Sequence, residues 1–227
     1  MSAIQSQQVF FTSLDPNGVR LAGEWTPANG ASQTSAAVSC PAVVLCHPQP
    51  LVNDMNDPLT QALQRELVKA GWSVLRFNFR GAPPSGGAYT DGRLELFDIA
   101  AAVLWLRSQP QVDSSKVAIA GHAFGAAVAL VYAAADPSVA AVAAVSPPIF
   151  RLQQSLARQI AIPCLLLSGE NDEVCPPYKL EQWIQQNPSQ KTQTTVPRAE
   201  HLMKGYEVRV AALIASYFHH TIPQIAR

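Results

Sequence analysis

The sequence predicts an α/β domain built on a mostly parallel sheet of about eight strands, with helices on both faces. Three observations carry this. Strand-like apolar runs and helical patterns alternate along most of the 227-residue chain. No repeat, linker or compositional break divides it, so residues 1–227 read as one domain. Hydrophobic residues make up 48% and charged residues 14%, which is enough apolar material for one large core.

The elements follow in order. Residues 8–13 and 19–25 flank Asp15-Pro16-Asn17-Gly18, a turn sequence, and predict an opening antiparallel hairpin. Residues 28–39 form a Ser/Ala/Gly-rich loop, and 42–46 (AVVLC) a strand buried on both faces. Leu59, Leu63, Leu67 and Val68 share one side of a helix over 58–70, which Gly71 stops. A strand over 72–79 precedes a second amphipathic helix over 91–108, ended before Pro110. Then come a strand at 116–120, a helix at 125–135, and a strand at 139–145 closed by Pro147 and Pro148. A strand at 164–168 (CLLLS), a helix at 177–186, a strand at 192–196 and a helix at 205–218 complete the chain.

Lys+Arg and Asp+Glu are both 16, and no basic stretch occurs, which argues against a nucleic-acid partner. A small neutral ligand held in a pocket is expected instead. The start MSAIQSQQVF has neither a cationic n-region nor an apolar h-region, and the longest apolar stretch, around 123–135, is too short to span a bilayer. Cys46 and Cys164 lie in strand-like runs, as buried free thiols do, so a cytoplasmic setting is expected; two disulfides among the four cysteines are the alternative.

In such a fold, ligands bind beyond the carboxyl ends of the strands. Those ends lead into loops 47–57, 80–92, 121–125, 169–177 and 198–204. In the third loop, KVAIAGHAFGAAVA has the strand–turn–helix frame of a nucleophile elbow, G-x-S-x-G, with Ala123 where the serine belongs. Gly121 and Gly125 supply the small neighbours that let helix pack on strand. Alone, this motif is equally a tight structural turn. Asp172, after CLLLS, and His201, in VPRAEHLMKG, follow their own strands in the order nucleophile, acid, base. Singly, the first reads as a helix cap and the second as a surface histidine; three ordered positions together point to a triad.

With these residues the chain resembles the α/β-hydrolase superfamily, in particular small lidless serine esterase-like members with a His-Pro-x-Pro loop after the third strand. LCHPQP resembles the oxyanion loop, and RFNFRGAPPSGGAYTDGRLELFDI the FNFRG segment with its following S-G, G, E and D. GHAFGA, SGENDEVCPP and VPRAEHLMKG resemble the nucleophile, acid and base segments. The resemblance implies an α/β-hydrolase fold without a separate lid domain and ester or thioester hydrolysis through an acyl-enzyme. It places Ala123 at the nucleophile position, Asp172 as acid and His201 as base, and needs no metal or cofactor. Two departures stand out: Ala123 itself, and Asn53-Asp54 where the family usually has Gly-Gly.

One oxyanion donor is the N–H of Phe124, after the nucleophile position; the other comes from the 47–51 loop. Pro48 and Pro50 lack an N–H, leaving Gln49, with Leu51 as fallback. The bland alternative is a rigid turn. Leu51, Asn53, Met55, His122, Pro148 and Phe150 are the expected pocket residues, favouring a hydrophobic acyl or alcohol group. Arg80 is expected to tie loops together; Cys175 has no partner His by sequence order, and Ser85 and Ser146 lack any elbow context. Three readings of Ala123 remain open. The chain is a nucleophile-to-Ala form of a serine hydrolase; or it uses the Asp172–His201 dyad for isomerase, cyclase or lyase chemistry; or it binds a ligand without catalysis.

Overall fold

The computed structural model describes residues 6–28, 39–153 and 155–222. Among them eight strands form one sheet: β1 (Gln7–Thr12), β2 (Arg20–Thr26), β3 (Cys40–Cys46), β4 (Ser73–Phe77), β5 (Val112–His122), β6 (Val142–Val145), β7 (Cys164–Gly169) and β8 (Lys191–Val196). Their order is β1-β2-β4-β3-β5-β6-β7-β8. The β1–β2 and β2–β4 pairs are antiparallel, and all pairs from β4 to β8 are parallel. The opening hairpin turns on Gly18, whose φ is 61° and whose N–H donates to the Asp15 carbonyl at 3.0 Å.

Six α-helices are described: α1 (Pro58–Lys69), α2 (Glu95–Arg107), α3 (Phe124–Ala135), the short α4 (Leu156–Gln159), α5 (Pro177–Ile184) and α6 (Glu207–Thr221). Strand alternation divides the core between the two sheet faces. Val43 and Leu45 of β3 pack with Leu59, Leu63 and Leu67 of α1 and Val210, Ile214 and Phe218 of α6. Ala42, Val44 and Cys46 face Ile99 and Val103 of α2 and Ala126 and Leu130 of α3.

Several expectations need correction. The α2 helix starts at Glu95, four residues after the expected 91, because the buried Glu95 carboxylate holds the preceding turn. It accepts from the Thr90 and Gly92 amides at 2.7 and 2.9 Å and from the Thr90 hydroxyl at 2.6 Å. Nor is α2 cleanly amphipathic: Ile99, Val103 and Leu106 are buried while Phe97 and Leu104 are exposed. Strand β5 begins at Val112 rather than 116, and β6 at Val142 rather than 139. The α4 helix and a 3-10 turn at Ile149–Arg151 were not expected. Of the 28–39 loop, residues 29–38 lie outside the described residues.

Because β3 to β8 run parallel, their carboxyl ends share one edge of the sheet. The chain segments starting at His47, Asn78, Ala123, Ser146, Glu170 and Pro197 all emerge there.

Candidate active site

The elbow is a sharp reversal between β5 and α3. Ala123 sits at φ 48°, ψ −115°, a conformation that strains any residue with a Cβ. Its N–H donates to the Val145 carbonyl at 2.8 Å, and its carbonyl accepts from Ala127 at 3.1 Å, so the turn is pinned on both sides. The flanking glycines are sterically required. A Cβ on Gly121 would lie 2.6 Å from the Gly125 carbonyl group, and one on Gly125 would press onto the Cys46 and His47 carbonyl oxygens. Helix α3 thus leans directly on the end of β3.

Asp172 and His201 meet across the ends of β7 and β8. His201 Nδ1 lies 3.0 and 3.2 Å from the two Asp172 oxygens. Oδ1 also accepts from the Val174 and Cys175 amides at 3.0 and 2.8 Å. Burial raises the Asp172 carboxyl, but the hydrogen bonds from His201 and the Cys175 amide outweigh it, so its pKa falls below the ordinary aspartate value. Asp172 is therefore ionised at neutral pH, and Nδ1 of His201 carries the proton that bonds to it, leaving Nε2 to exchange protons. Asp172 is buried, whereas His201 is part-exposed. The loop after β8 packs closely on the end of β7 because Gly169 has no side chain: a Cβ there would collide with the Ala199 carbonyl.

The 47–51 segment is held by His47, which is fully buried. Its Nε2 accepts the Phe79 N–H at 3.1 Å and its Nδ1 donates to the Pro48 carbonyl at 2.7 Å, a pattern that requires the neutral Nδ1–H tautomer. Burial brings its pKa down to about 4. The Gln49 carbonyl accepts from the Val52 and Asn53 amides at 3.2 and 2.9 Å, closing the turn. Among the described residues, no acceptor receives the amide N–H of either Gln49 or Phe124.

Phe124 lies in an aromatic series running His47–Phe79–Phe124–Tyr89, with centroid separations of 5.1, 5.8 and 5.3 Å. Above it, Asp91 accepts from the Tyr89 hydroxyl at 2.7 Å and pairs with Arg151 at 2.7 Å; the Arg151 guanidinium lies 5.7 Å from the Phe124 ring centre. Sequence reasoning missed this Tyr89–Asp91–Arg151 cluster, because the 3-10 turn that carries Arg151 left no periodic signal.

The expected pocket residues are spread out. Leu51 and Asn53 line a groove of about 510 Å³ with Asp57, Pro58, Ala82 and Pro83. Phe150 is exposed and Pro148 is buried. Met55 is tied by its backbone to Asn78 and Arg76. His122 is buried with its ring turned to Asp57 and the His201 carbonyl, so it contributes no open pocket wall. Arg80 forms a buried network with Asp98, Asp15 and Ser13. Ser85 accepts from Ala22 N–H and donates to the Asn78 carbonyl, and burial together with the nearby Asp172 carboxylate pushes the Cys175 thiol up. Among the described residues no group of three His, Cys, Asp or Glu could hold a metal ion, and no helix is long and apolar enough to cross a membrane.

The Dienelactone hydrolase family profile matches residues 89–201, a span that includes the elbow, Asp172 and His201. An uncharacterized protein of Rickettsia prowazekii is 31% identical over 172 residues, covering 74% of this chain and 67% of its own length. The structure of an α/β serine hydrolase homologue from Coxiella burnetii aligns with a TM-score of 0.79 at 26% identity, over 95% of this chain and 99% of that one. A serine hydrolase without a lid from Xanthomonas campestris shares the fold, with a TM-score of 0.82 at 23% identity over 100% and 99% of the two chains. The protein has the α/β-hydrolase fold and belongs to the dienelactone hydrolase family.

Proposed function

We propose that residues 123, 172 and 201 form a serine-hydrolase triad in which alanine stands at the nucleophile position. The observation that carries this reading is the backbone of Ala123. It keeps the strained elbow conformation, between two glycines that admit no side chain, near a hydrogen-bonded Asp–His pair. A turn with no catalytic history has no physical need of that strain.

With serine at 123, His201 Nε2 takes the hydroxyl proton as Oγ attacks the carbonyl carbon of an ester or thioester. The Gln49 and Phe124 amides hold the oxyanion, and Asp172 stabilises the imidazolium. Collapse expels the alcohol or thiol, protonated by His201. Water activated by the same nitrogen then releases the acid. With Ala123 no acyl-enzyme forms, and substrate binds without turnover by that route. The exposed Leu51 and Phe150 favour a hydrophobic acyl or alcohol group.

Loss of the nucleophile from a complete triad costs roughly a millionfold in turnover in a serine protease. Ala123→Ser is therefore expected to raise p-nitrophenyl ester hydrolysis by several orders of magnitude and to permit labelling by a fluorophosphonate. Adding His201→Ala should abolish the gain. A second reading, in which the Asp172–His201 pair acts as general base for isomerase, cyclase or lyase chemistry, is supported by the intact pair in a chain carrying alanine. A folded but unlabelled Ala123→Ser protein would reject the first reading. His201-dependent chemistry by the Ala123 protein would select the second, and specific binding with neither would leave a ligand-binding protein.

A further inference from the structure

The elbow carries a second histidine that the acid–base pair does not use. His122 ends β5, immediately before Ala123, and its side chain is 1% exposed. Its Nε2 lies 3.3 Å from the carbonyl oxygen of His201 itself. Its Nδ1 lies 3.5 Å from Asp57 Oδ2, the separation of an ion pair rather than a full hydrogen bond, and that buried nitrogen has no hydrogen-bond partner. Asp57 is fixed in turn: as N-cap of α1 it accepts from the Thr60 amide at 3.1 Å and the Thr60 hydroxyl at 3.2 Å.

The segment that receives this contact is tied on either side of residue 201, by the Asn171 N–H to the Ala199 carbonyl at 2.9 Å and by the Met203 N–H to the Glu200 carbonyl at 3.1 Å, but not at the carbonyl of 201. Among the described residues no backbone N–H donates to the His201 carbonyl. The turns around it pass through left-handed conformations at Arg198 (φ 61°) and Met203 (φ 55°), which residues with side chains adopt reluctantly. Among the described residues the His122 ring is the group that holds the carbonyl of residue 201 itself.

We propose that His122 is a positioning residue for His201: its Nε2–H latches the carbonyl of the base residue, and Asp57 anchors the latch to the start of α1. To donate to that carbonyl, Nε2 must carry a proton. Nδ1 is turned toward the Asp57 carboxylate at 3.5 Å. His201 is thereby fixed at two points, its ring by Asp172 and its backbone by His122. The latch ties the elbow strand, α1 and the base loop into one unit. Its catalytic meaning rests on the reading of His201 as the base, which the hydrolase and the general-base alternatives share.

The test needs no turnover. In ¹⁵N-labelled protein that retains Ala123, imidazole correlations report protonation and order at each of the five histidines. The parent is expected to show His122 protonated at Nε2 and a single sharp Nδ1–H signal for His201. In His122→Phe that signal should broaden or split, with amide exchange over 199–205 faster by about tenfold or more. His122→Gln, which retains an N–H donor, should restore most of the order. Asp57→Asn, which still caps α1, should loosen the loop partially. Unchanged His201 signals and loop exchange in His122→Phe would overturn the proposal, as would a Gln variant no better than Phe. If His122→Phe does not fold, Asp57→Asn decides: a His201 loop as ordered as the parent's overturns the anchored latch. In the Ala123→Ser background, His122→Phe should lower kcat on the order of 100-fold while KM stays within about twofold. Absence of fluorophosphonate labelling in Ala123→Ser would count against the hydrolase reading alone, because the spectroscopic arm uses the Ala123 protein.

Discussion

Ala123 keeps backbone strain that glycine would release. At φ 48° and ψ −115° a Cβ costs about 1–3 kcal/mol, part of which glycine returns through its freer unfolded chain. Ala123→Gly is therefore expected to gain about 1 kcal/mol, raising Tm by about 2–4 °C for a chain of this size. An unchanged or lower Tm would mean that the elbow is relaxed with alanine. Gly125→Ala should act in the opposite sense, losing about 1–3 kcal/mol by overpacking, since its methyl meets the Cys46 and His47 carbonyls. At this scale the sequence was informative wherever chemistry needs a fixed spacing. G-x-x-x-G, the Asp after β7 and the His after β8 could all be read directly, and the structure brings Asp172 and His201 within hydrogen-bonding distance. The Asp57–His122 contact could not be read this way. Its partners lie 65 positions apart, and Asp57 alone has the signature of an ordinary helix cap.

At the scale of elements, apolar runs located the inner strands β3 to β7 and the Asp-Pro-Asn-Gly turn the opening hairpin, but boundaries were lost where polar side chains set them. The start of β5 reads Val-Asp-Ser-Ser-Lys, which has no strand pattern; a register shift between Cys40 and Ala42 marks the join with β3. The start of α2 is set by Glu95 turning back on Thr90 and Gly92, a long-side-chain effect invisible to periodicity. One turn further along the same helix, Asp98 accepts from the Arg80 backbone N–H at 3.0 Å and from Nη2 at 2.6 Å, while Arg80 also reaches Asp15 at 3.1 Å. Arg80, Asp98 and Asp15 are all buried. The network joins the opening hairpin, the exit of β4 and α2. Breaking one partner of a buried pair costs about 3–5 kcal/mol, because the remaining charge is left without compensation. Asp98→Ala is expected to lose that much in urea unfolding. Asp15→Ala should lose less, since Asp98 retains the bonds to Nε and the backbone. Equal losses would show that the carboxylates act as one unit.

At the scale of the molecule, the sheet carries two cores, and its parallel strands deliver every site segment to one edge. That edge is where the protein should be most sensitive to acid. His47 joins the exits of two central strands, β3 and β4, by accepting from Phe79 N–H through a nitrogen that must stay unprotonated. Its folded pKa of about 4 lies below the ordinary 6.5. From pH 6.5 down to 4 the unfolded chain binds a proton that the folded chain refuses, so stability is present above pH 6.5 and is lost as pH falls. A shift of that size corresponds to about 3 kcal/mol. The lowered Asp172 pKa acts in the same direction at still lower pH: its contribution is present above the unfolded aspartate value and disappears as the folded carboxylate takes its proton. Urea unfolding at pH 7, 5.5 and 4.5 should therefore show stability falling by close to one proton's linkage per pH unit in the lower interval, about 1.4 kcal/mol. The His47 ring resonances should stay close to their neutral positions at pH 7 and 5.5 and begin to move only toward pH 4.5. A His47 that titrates near 6.5 in the folded protein would show that the ring is solvated and that the 47–51 segment is held by something other than this buried neutral imidazole.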